Sequence, residues 1–255
     1  MNAKLIVSPE STEGWIREGV LAAKESILIA APYVGRVLWD LLLTRPRSLP
    51  TTLITSLRIG DVLGGASDIQ AIYELSQNHV RVQSISNLHA KLYIVDQAKV
   101  LITSANPTQN GWRNNLEMGL ALHSSEIARR ALQILQAAKP YRWTSSQLKR
   151  YADWAAVQPK VVSKPWIVPV ELLYKDFGGW LGLVMRAVAQ LPEEFTLTEV
   201  YQLALPQAAQ EYPNNHHPRD KIRQQLQGLR DLGLLEFVTP GRYRRLKVDL
   251  MDFLR

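Results

Sequence analysis

The stretch His89-Ala90-Lys91-Leu92-Tyr93-Ile94-Val95-Asp96 is followed by Thr103-Ser104-Ala105-Asn106 and then by Asn115-Leu116-Glu117. The first alternates as a strand does, which sets His89 and Lys91 on one face. A turn over Asp96–Lys99 and a returning strand over Val100–Thr103 then bring Ser104 and Asn106 to the same place. Glu117 is a carboxylate in an apolar run, where an unpaired charge is costly. It needs a partner, and a histidine suits it.

Working outward from this hairpin, further short apolar runs read as buried strands: Lys4–Ser8, Ser26–Val34, Thr51–Leu57 and Val80–Ile85 before it, and Asn115–Leu122 after it. Amphipathic stretches lie between the first of these, Thr12–Lys24 behind a Ser11 cap and Val37–Leu43. Capped by Ser124 or Ser125, Glu126–Ala138 reads as a helix with Ile127, Ala131, Ile134 and Leu135 on one side. The first half is therefore of the α/β class, a domain over residues 1–138.

Residues 139–165 hold Pro140, Pro159 and Pro165 together with Tyr141, Trp143, Tyr151 and Trp154. They read as a basic, aromatic-containing linker with some helix, packed on one or both domains. Beyond it, residues 166–255 change character. Trp180–Gln190, Leu197–Tyr212 and Pro218–Leu232 read as helices, and Leu234–Val238 with Tyr243–Val248 as a hairpin around Thr239-Pro240-Gly241-Arg242. Three helices and a hairpin are the outline of a winged helix, whose third helix enters a DNA groove.

The absence of cysteine in all 255 residues excludes disulfides, thiolate nucleophiles and cysteine-ligated metal. The five histidines, His79, His89, His123, His216 and His217, show no metal-ligand spacing, so neither metal nor cofactor is expected. No apolar run is long enough for a bilayer and the start lacks signal-peptide zones, which makes a cytoplasmic protein with no membrane partner the expectation. The net charge of +7 is unevenly spread. Residues 139–165 carry six basic groups against one acidic, and residues 216–247 carry eight against three. Two basic zones favour nucleic acid as the partner.

Lys91, Ser104 and Asn106 suit the non-bridging oxygens of a phosphodiester, which gain charge as phosphorus is attacked. His89 is then the nucleophile, and Glu117 is expected to accept its other ring N–H and set its tautomer. The leaving group needs an acid, and the chain has no second His-x-Lys. The second histidine is therefore expected from an identical subunit, in a homodimer formed through the N-terminal domain.

These residues resemble the signature of the phospholipase D superfamily: HxK, four residues, Asp, six residues, GSxN and a downstream NxE. His89, Lys91, Asp96, Ser104, Asn106, Gly111, Asn115 and Glu117 stand at the family spacing, and Thr103 replaces the usual glycine. The resemblance implies an α-β-α sandwich on a mixed sheet, a covalent phosphohistidine at His89 formed without metal, a structural role for Asp96, and dimeric action of single-motif members. A β-branched side chain at position 103 has the bulk to crowd the phosphate.

The second half resembles the winged-helix domain of Dam-replacing family restriction enzymes, carried by Phe195-Thr196-Leu197-Thr198-Glu199, Tyr212-Pro213-Asn214-Asn215, Lys221-Ile222-Arg223-Gln224-Gln225-Leu226 and Gly241-Arg242-Tyr243-Arg244, among others. Ile222, Leu226 and Leu229 repeat at helical spacing and face a core. That leaves Asn214, Asn215, Arg219, Lys221, Arg223, Gln224, Gln225 and Gln227, with Arg242, Arg244 and Arg245 on the wing, as candidates for double-stranded DNA. Together the modules read as a restriction-type, metal-independent DNA endonuclease. Two other readings stand beside it. One is a sequence-specific DNA-binding protein whose front domain is a degenerate dimerisation platform; the other is a lipid phosphodiesterase.

Overall fold

The computed structural model describes residues 3–9, 11–158 and 178–246. Contacts divide the chain into two units, Met1–Leu57 with Gly65–Lys149 and Arg58–Gly64 with Arg150–Arg255.

The first unit is built on strands β1 (Ala3–Ser8), β2 (Ile27–Ala30), β3 (Thr51–Thr55), β4 (Val80–Ser84), β5 (Leu92–Val95), β6 (Lys99–Thr103), β7 (Glu117–His123) and β8 (Tyr141–Arg142). They form one sheet in the order β1-β7-β6-β5-β2-β3-β4-β8. The pairs β2–β3 and β3–β4 are parallel and all others antiparallel. The mixed α/β sheet expected from the sequence is thus present, with β2 and β3 connected through α2 (Arg36–Leu42) and β3 and β4 through α4 (Ile69–Gln77), as parallel neighbours require; the short α3 (Ile59–Leu63), between β3 and α4 in sequence, belongs to the second unit.

Both faces of the sheet are used. Helix α5 (Ser125–Ala137) lays Ala128 and Leu135 on Ile94, Val100 and Leu122. It begins where Ser124 caps it, its hydroxyl accepting the Ile127 N–H at 3.3 Å. On the opposite face α1 (Thr12–Ala22) buries Ile16 and Val20, and Gly19 comes so close to β5 that an added Cβ would stand 3.2 Å from a Val95 methyl. Ser11 precedes α1 without capping it; its hydroxyl returns to the backbone of Val7.

The expected linker begins inside the sheet. Tyr141–Arg142 pairs with β4, and Trp143 donates from Nε1 to Ser84 Oγ at 2.8 Å. Burying these rings is what recruits the segment. Helix α6 (Ser145–Val157) follows, and residues 159–165 lie outside the described residues.

The second unit contains α7 (Gly179–Ala189), β9 (Glu194–Thr196), α8 (Leu197–Glu211), α9 (Pro218–Asp231), β10 (Leu235–Thr239) and β11 (Arg242–Arg245). This is the helix, helix, helix, hairpin order of a winged helix, with the short β9 added beside β11. A reciprocal capping box starts α8, Thr196 Oγ1 taking the Glu199 N–H and the Glu199 carboxylate taking the Thr196 N–H. Among the described residues, no helix is long and apolar enough to cross a membrane.

Candidate active site and DNA-facing helix

Because β5, β6 and β7 are antiparallel neighbours, the start of β5, the end of β6 and the start of β7 meet at one end of the sheet. That end carries the motif residues His89, Lys91, Ser104, Asn106 and Glu117. Strand β5 begins at Leu92, so His89 stands in the preceding loop and is exposed, not on the strand as alternation suggested. Ladder pairing reaches back only to Lys91, whose carbonyl accepts the Thr103 N–H at 3.1 Å. The Lys91 ammonium donates to the His89 carbonyl at 3.1 Å, which keeps the two residues together.

Ser104 follows β6. Its N–H donates to the Met118 carbonyl at 3.0 Å and its Oγ accepts the Met118 N–H at 3.2 Å. The same hydroxyl donates to Glu117 Oε2 in a short bond. The other carboxylate oxygen accepts Asn115 Nδ2 at 3.2 Å. Glu117 thus has two donors, and neither is His89, the partner expected for it. The reason lies in the backbone: Glu117 opens β7 next to Met118, whose backbone pairs with Ser104, whereas His89 lies one strand further, in a loop. Asn115 had been read only as a motif position; the NxE spacing was the signal for its bond to the carboxylate.

Asn106 is placed by close backbone packing. A Cβ on Gly111 would meet the Asn106 backbone, its nitrogen at 2.9 Å, so only glycine fits there. Asn106 Oδ1 is buried and has no partner among the described residues. Between β6 and β7 runs a π-helical turn, Asn110–Asn114, whose buried Trp112 donates to Tyr93 Oη at 3.2 Å. Tyr93 in turn donates to the Ala105 carbonyl at 3.2 Å, holding the Ser104–Asn106 turn from beneath, and burial raises its hydroxyl pKa.

Two carboxylates fix the surrounding frame. Burial, which alone would raise the Asp96 pKa, is outweighed by N–H donors of Glu25, Ser26 and Lys24 at 2.8 to 3.1 Å and by the charge of Lys99, so it lies below its ordinary value. Asp96 and Gln97 both have positive φ, which closes the β5–β6 turn. Glu13 binds Arg113 at 2.6 Å and Arg17 at 3.0 Å, tying α1 to the π-helical turn; the Arg113 guanidinium brings its carboxyl down to about 2.

Thr103, the position at which the family signature has glycine, lines the same cavity as His89, Lys91 and Ser104. It is buried, its Oγ1 donating to the Met118 carbonyl and accepting the Ala105 N–H, both at 3.1 Å. Beside the site opens an apolar cavity of about 510 Å³ bounded by His89, Lys91 and Ser104 on one side and by Leu92, Ile102, Ala131, Ile134 and Leu135 on the other. Next to it the sheet is uncovered. Leu5, Leu120 and Ile102 stand in register across β1, β7 and β6, all exposed, with Met118 and Leu116 beyond them.

On α9, Ile222, Leu226 and Leu229 are buried as the spacing implied, and so is Gln225, at 4% exposure. Gln225 is therefore no base-reading side chain: it lies on the core stripe between Ile222 and Leu229, which is wider than three apolar residues define. Arg219, Lys221 and Arg223 are exposed and Gln224 and Gln227 half-buried. Arg219 lies over the Tyr201 ring at 5.2 Å, and Lys221 donates to Gln224 at 3.4 Å. Asn214 is exposed, while Asn215 accepts the His217 N–H at 2.9 Å and so shapes the start of α9.

The wing arginines differ among themselves. Arg242 is exposed. Arg244 is engaged by Glu194 at 2.8 Å and Glu236 at 3.0 Å, and Arg245 donates to the Ala189 carbonyl at 2.9 Å, satisfying the end of α7. Arg230 binds the fully buried Asp231 at 2.9 Å and lies 5.0 Å from the Phe237 ring, a structural pair that ties α9 to β10.

Comparison with known proteins agrees with both halves. Residues 16–138 match the family described as cardiolipin synthase, PLD-like domain, and residues 176–245 match the Dam-replacing HTH domain. The crystal structure of the phospholipase D family member Nuc from Salmonella typhimurium is similar at a TM-score of 0.50 and 22% identity, over 56% of this chain and 98% of that one, a likeness of fold. NucT from Helicobacter pylori aligns at a TM-score of 0.44 and 19% identity over 54% of this chain and 94% of that one. Phosphatidylserine synthase from Haemophilus influenzae Rd KW20 aligns at 0.45 and 15% over 60% and 46%. The chain thus joins a phospholipase D-like domain, residues 16–138, to a Dam-replacing HTH domain, residues 176–245.

Proposed function

We propose that this chain is a cytoplasmic, restriction-type DNA endonuclease that hydrolyses phosphodiester bonds through His89 without a metal ion. Residues 1–138 would be the nuclease and dimerisation domain, 139–165 a connecting segment, and 166–255 the domain that reads double-stranded DNA. The observation that carries this reading is the meeting of the His89 loop, Lys91, Ser104, Asn106 and Glu117 at one end of the sheet, in a chain that also bears a helix-turn-helix domain.

In this mechanism a His89 ring nitrogen attacks phosphorus while Lys91, Ser104 and Asn106 stabilise the non-bridging oxygens. The P–O bond to the leaving nucleoside breaks, and its oxygen takes a proton from His89 of the partner subunit. Water, losing its proton to that same imidazole, then displaces the first histidine. The uncovered ladder Leu5–Leu120–Ile102 beside the site supports a partner there, since apolar patches of this kind mark association surfaces. Arg219, Lys221, Arg223 and Arg242, exposed on α9 and the wing, suit a phosphate backbone.

The test is incubation of purified protein with methylated and unmethylated plasmid DNA in excess EDTA, beside His89→Ala. Cleavage by the parent alone is expected. No cleavage of any DNA by the purified dimer would overturn the proposal.

A further inference from the structure

Thr103 ends β6 opposite Gly119 of β7. Its hydroxyl spans two backbone groups, the Met118 carbonyl at 3.1 Å and the Ala105 N–H at 3.1 Å. Ala105 is fully buried between the two phosphate-binding candidates Ser104 and Asn106, so water cannot replace that bond. Met118, at the other end, adjoins Glu117 and also receives both the N–H and, through its own N–H, the hydroxyl oxygen of Ser104. One side chain therefore links the turn that carries Ser104 and Asn106 to the strand start that carries Glu117.

The room for that side chain is supplied across the strand pair. A Cβ at position 119 would stand 2.6 Å from Thr103 Cβ, 2.8 Å from the Ile102 carbonyl and 2.9 Å from Thr103 Oγ1. Real Cβ atoms do not approach so closely, and two of the three obstacles are a strand carbonyl and a β-branched carbon that cannot swing away. Glycine at 119 thus leaves open the space in which the Thr103 side chain sits.

We infer that Thr103 and Gly119 form a matched pair in which Thr103 is a positioning residue: its hydroxyl sets the Ser104–Asn106 turn against Glu117, in place of the bare backbone that a glycine at 103 would leave. The effect on turnover rests on the nuclease reading above; the effect on the turn does not.

The experiment compares full-length Thr103→Val, which keeps the shape and loses the hydroxyl, with Thr103→Ser, which keeps the hydroxyl. Amide hydrogen exchange at Ala105 is measured alongside plasmid cleavage. Thr103→Val is expected to exchange Ala105 roughly tenfold faster and to lower kcat by roughly tenfold or more with KM within about twofold. Thr103→Ser restores both. Gly119→Ala is expected to lose the same protection, because its Cβ would press on both the Thr103 side chain and the Ile102 carbonyl. Parental Ala105 exchange in a folded Thr103→Val overturns the inference, as does a drop in kcat that serine fails to rescue. Should the parent protein cut no DNA, the nuclease reading fails while Ala105 exchange still decides the positioning role.

Discussion

The Ser104 hydroxyl donates to the carboxylate of Glu117, whose second oxygen takes the Asn115 amide. The same oxygen accepts the Met118 N–H at 3.2 Å, so the direction of the hydroxyl is fixed. Glu117→Gln keeps the shape and removes the charge. We expect kcat for DNA cleavage to fall by roughly 10²-fold with the unfolding temperature little changed. A variant that cuts at the parental rate would show that the Ser104–Glu117 bond has no part in turnover.

The Glu13–Arg113 pair gives an acid signature. The guanidinium lowers the Glu13 carboxyl from its ordinary 4.5 to about 2, so the stability it contributes is fully present above pH 4.5 and is lost as pH falls through about 2. Thermal unfolding measured from pH 6 down to pH 2 should show this loss, and Arg113→Ala should flatten that part of the curve. Identical profiles for parent and variant would remove the pair from the account of acid unfolding.

Neighbouring residues of α9 should separate cleanly. Gln225 is buried and Arg223 exposed. Gln225→Ala is expected to cost about 1–3 kcal/mol of stability and to leave the salt dependence of DNA binding as it was. Arg223→Ala should leave unfolding unchanged and reduce the slope of log K against log salt by about one. The opposite pattern, read by calorimetry and by binding titrations at several salt concentrations, would reverse the two assignments.

How far the sequence was legible depends on the range of the forces involved. The apolar run Lys91–Val95 and the stripe Ile222, Leu226, Leu229 are local signals; the helix forms where its stripe says, and the strand forms over Leu92–Val95 but stops short of His89. The helix Ile69–Gln77 was missed although Asp68 caps it, its carboxylate accepting the Ala71 N–H at 2.9 Å. Strands as short as Tyr141–Arg142 and Glu194–Thr196 carry too little pattern to read, and exist because a neighbouring strand offers them hydrogen bonds. The residues of the motif meet at one end of the sheet. Their spacing did not give the partner of Glu117 or the direction of Thr103, because both are set by register between β6 and β7.

The apolar ladder Leu5–Leu120–Ile102 and the need for two histidines make a joint prediction. If the surface is a two-fold interface, Leu120→Lys should convert the protein to monomer in sedimentation, because like charges would meet where apolar side chains were buried. If each cut uses His89 from both subunits, the monomer should also lose cleavage while keeping its fold. The two ideas come apart in a mixing experiment. Parent and His89→Ala chains, differently tagged and co-expressed at varied ratios, assemble at random, and activity should follow the square of the parental fraction. Linear dependence would mean that each subunit acts independently through its own His89, and the leaving-group acid would then have to be sought within the same subunit.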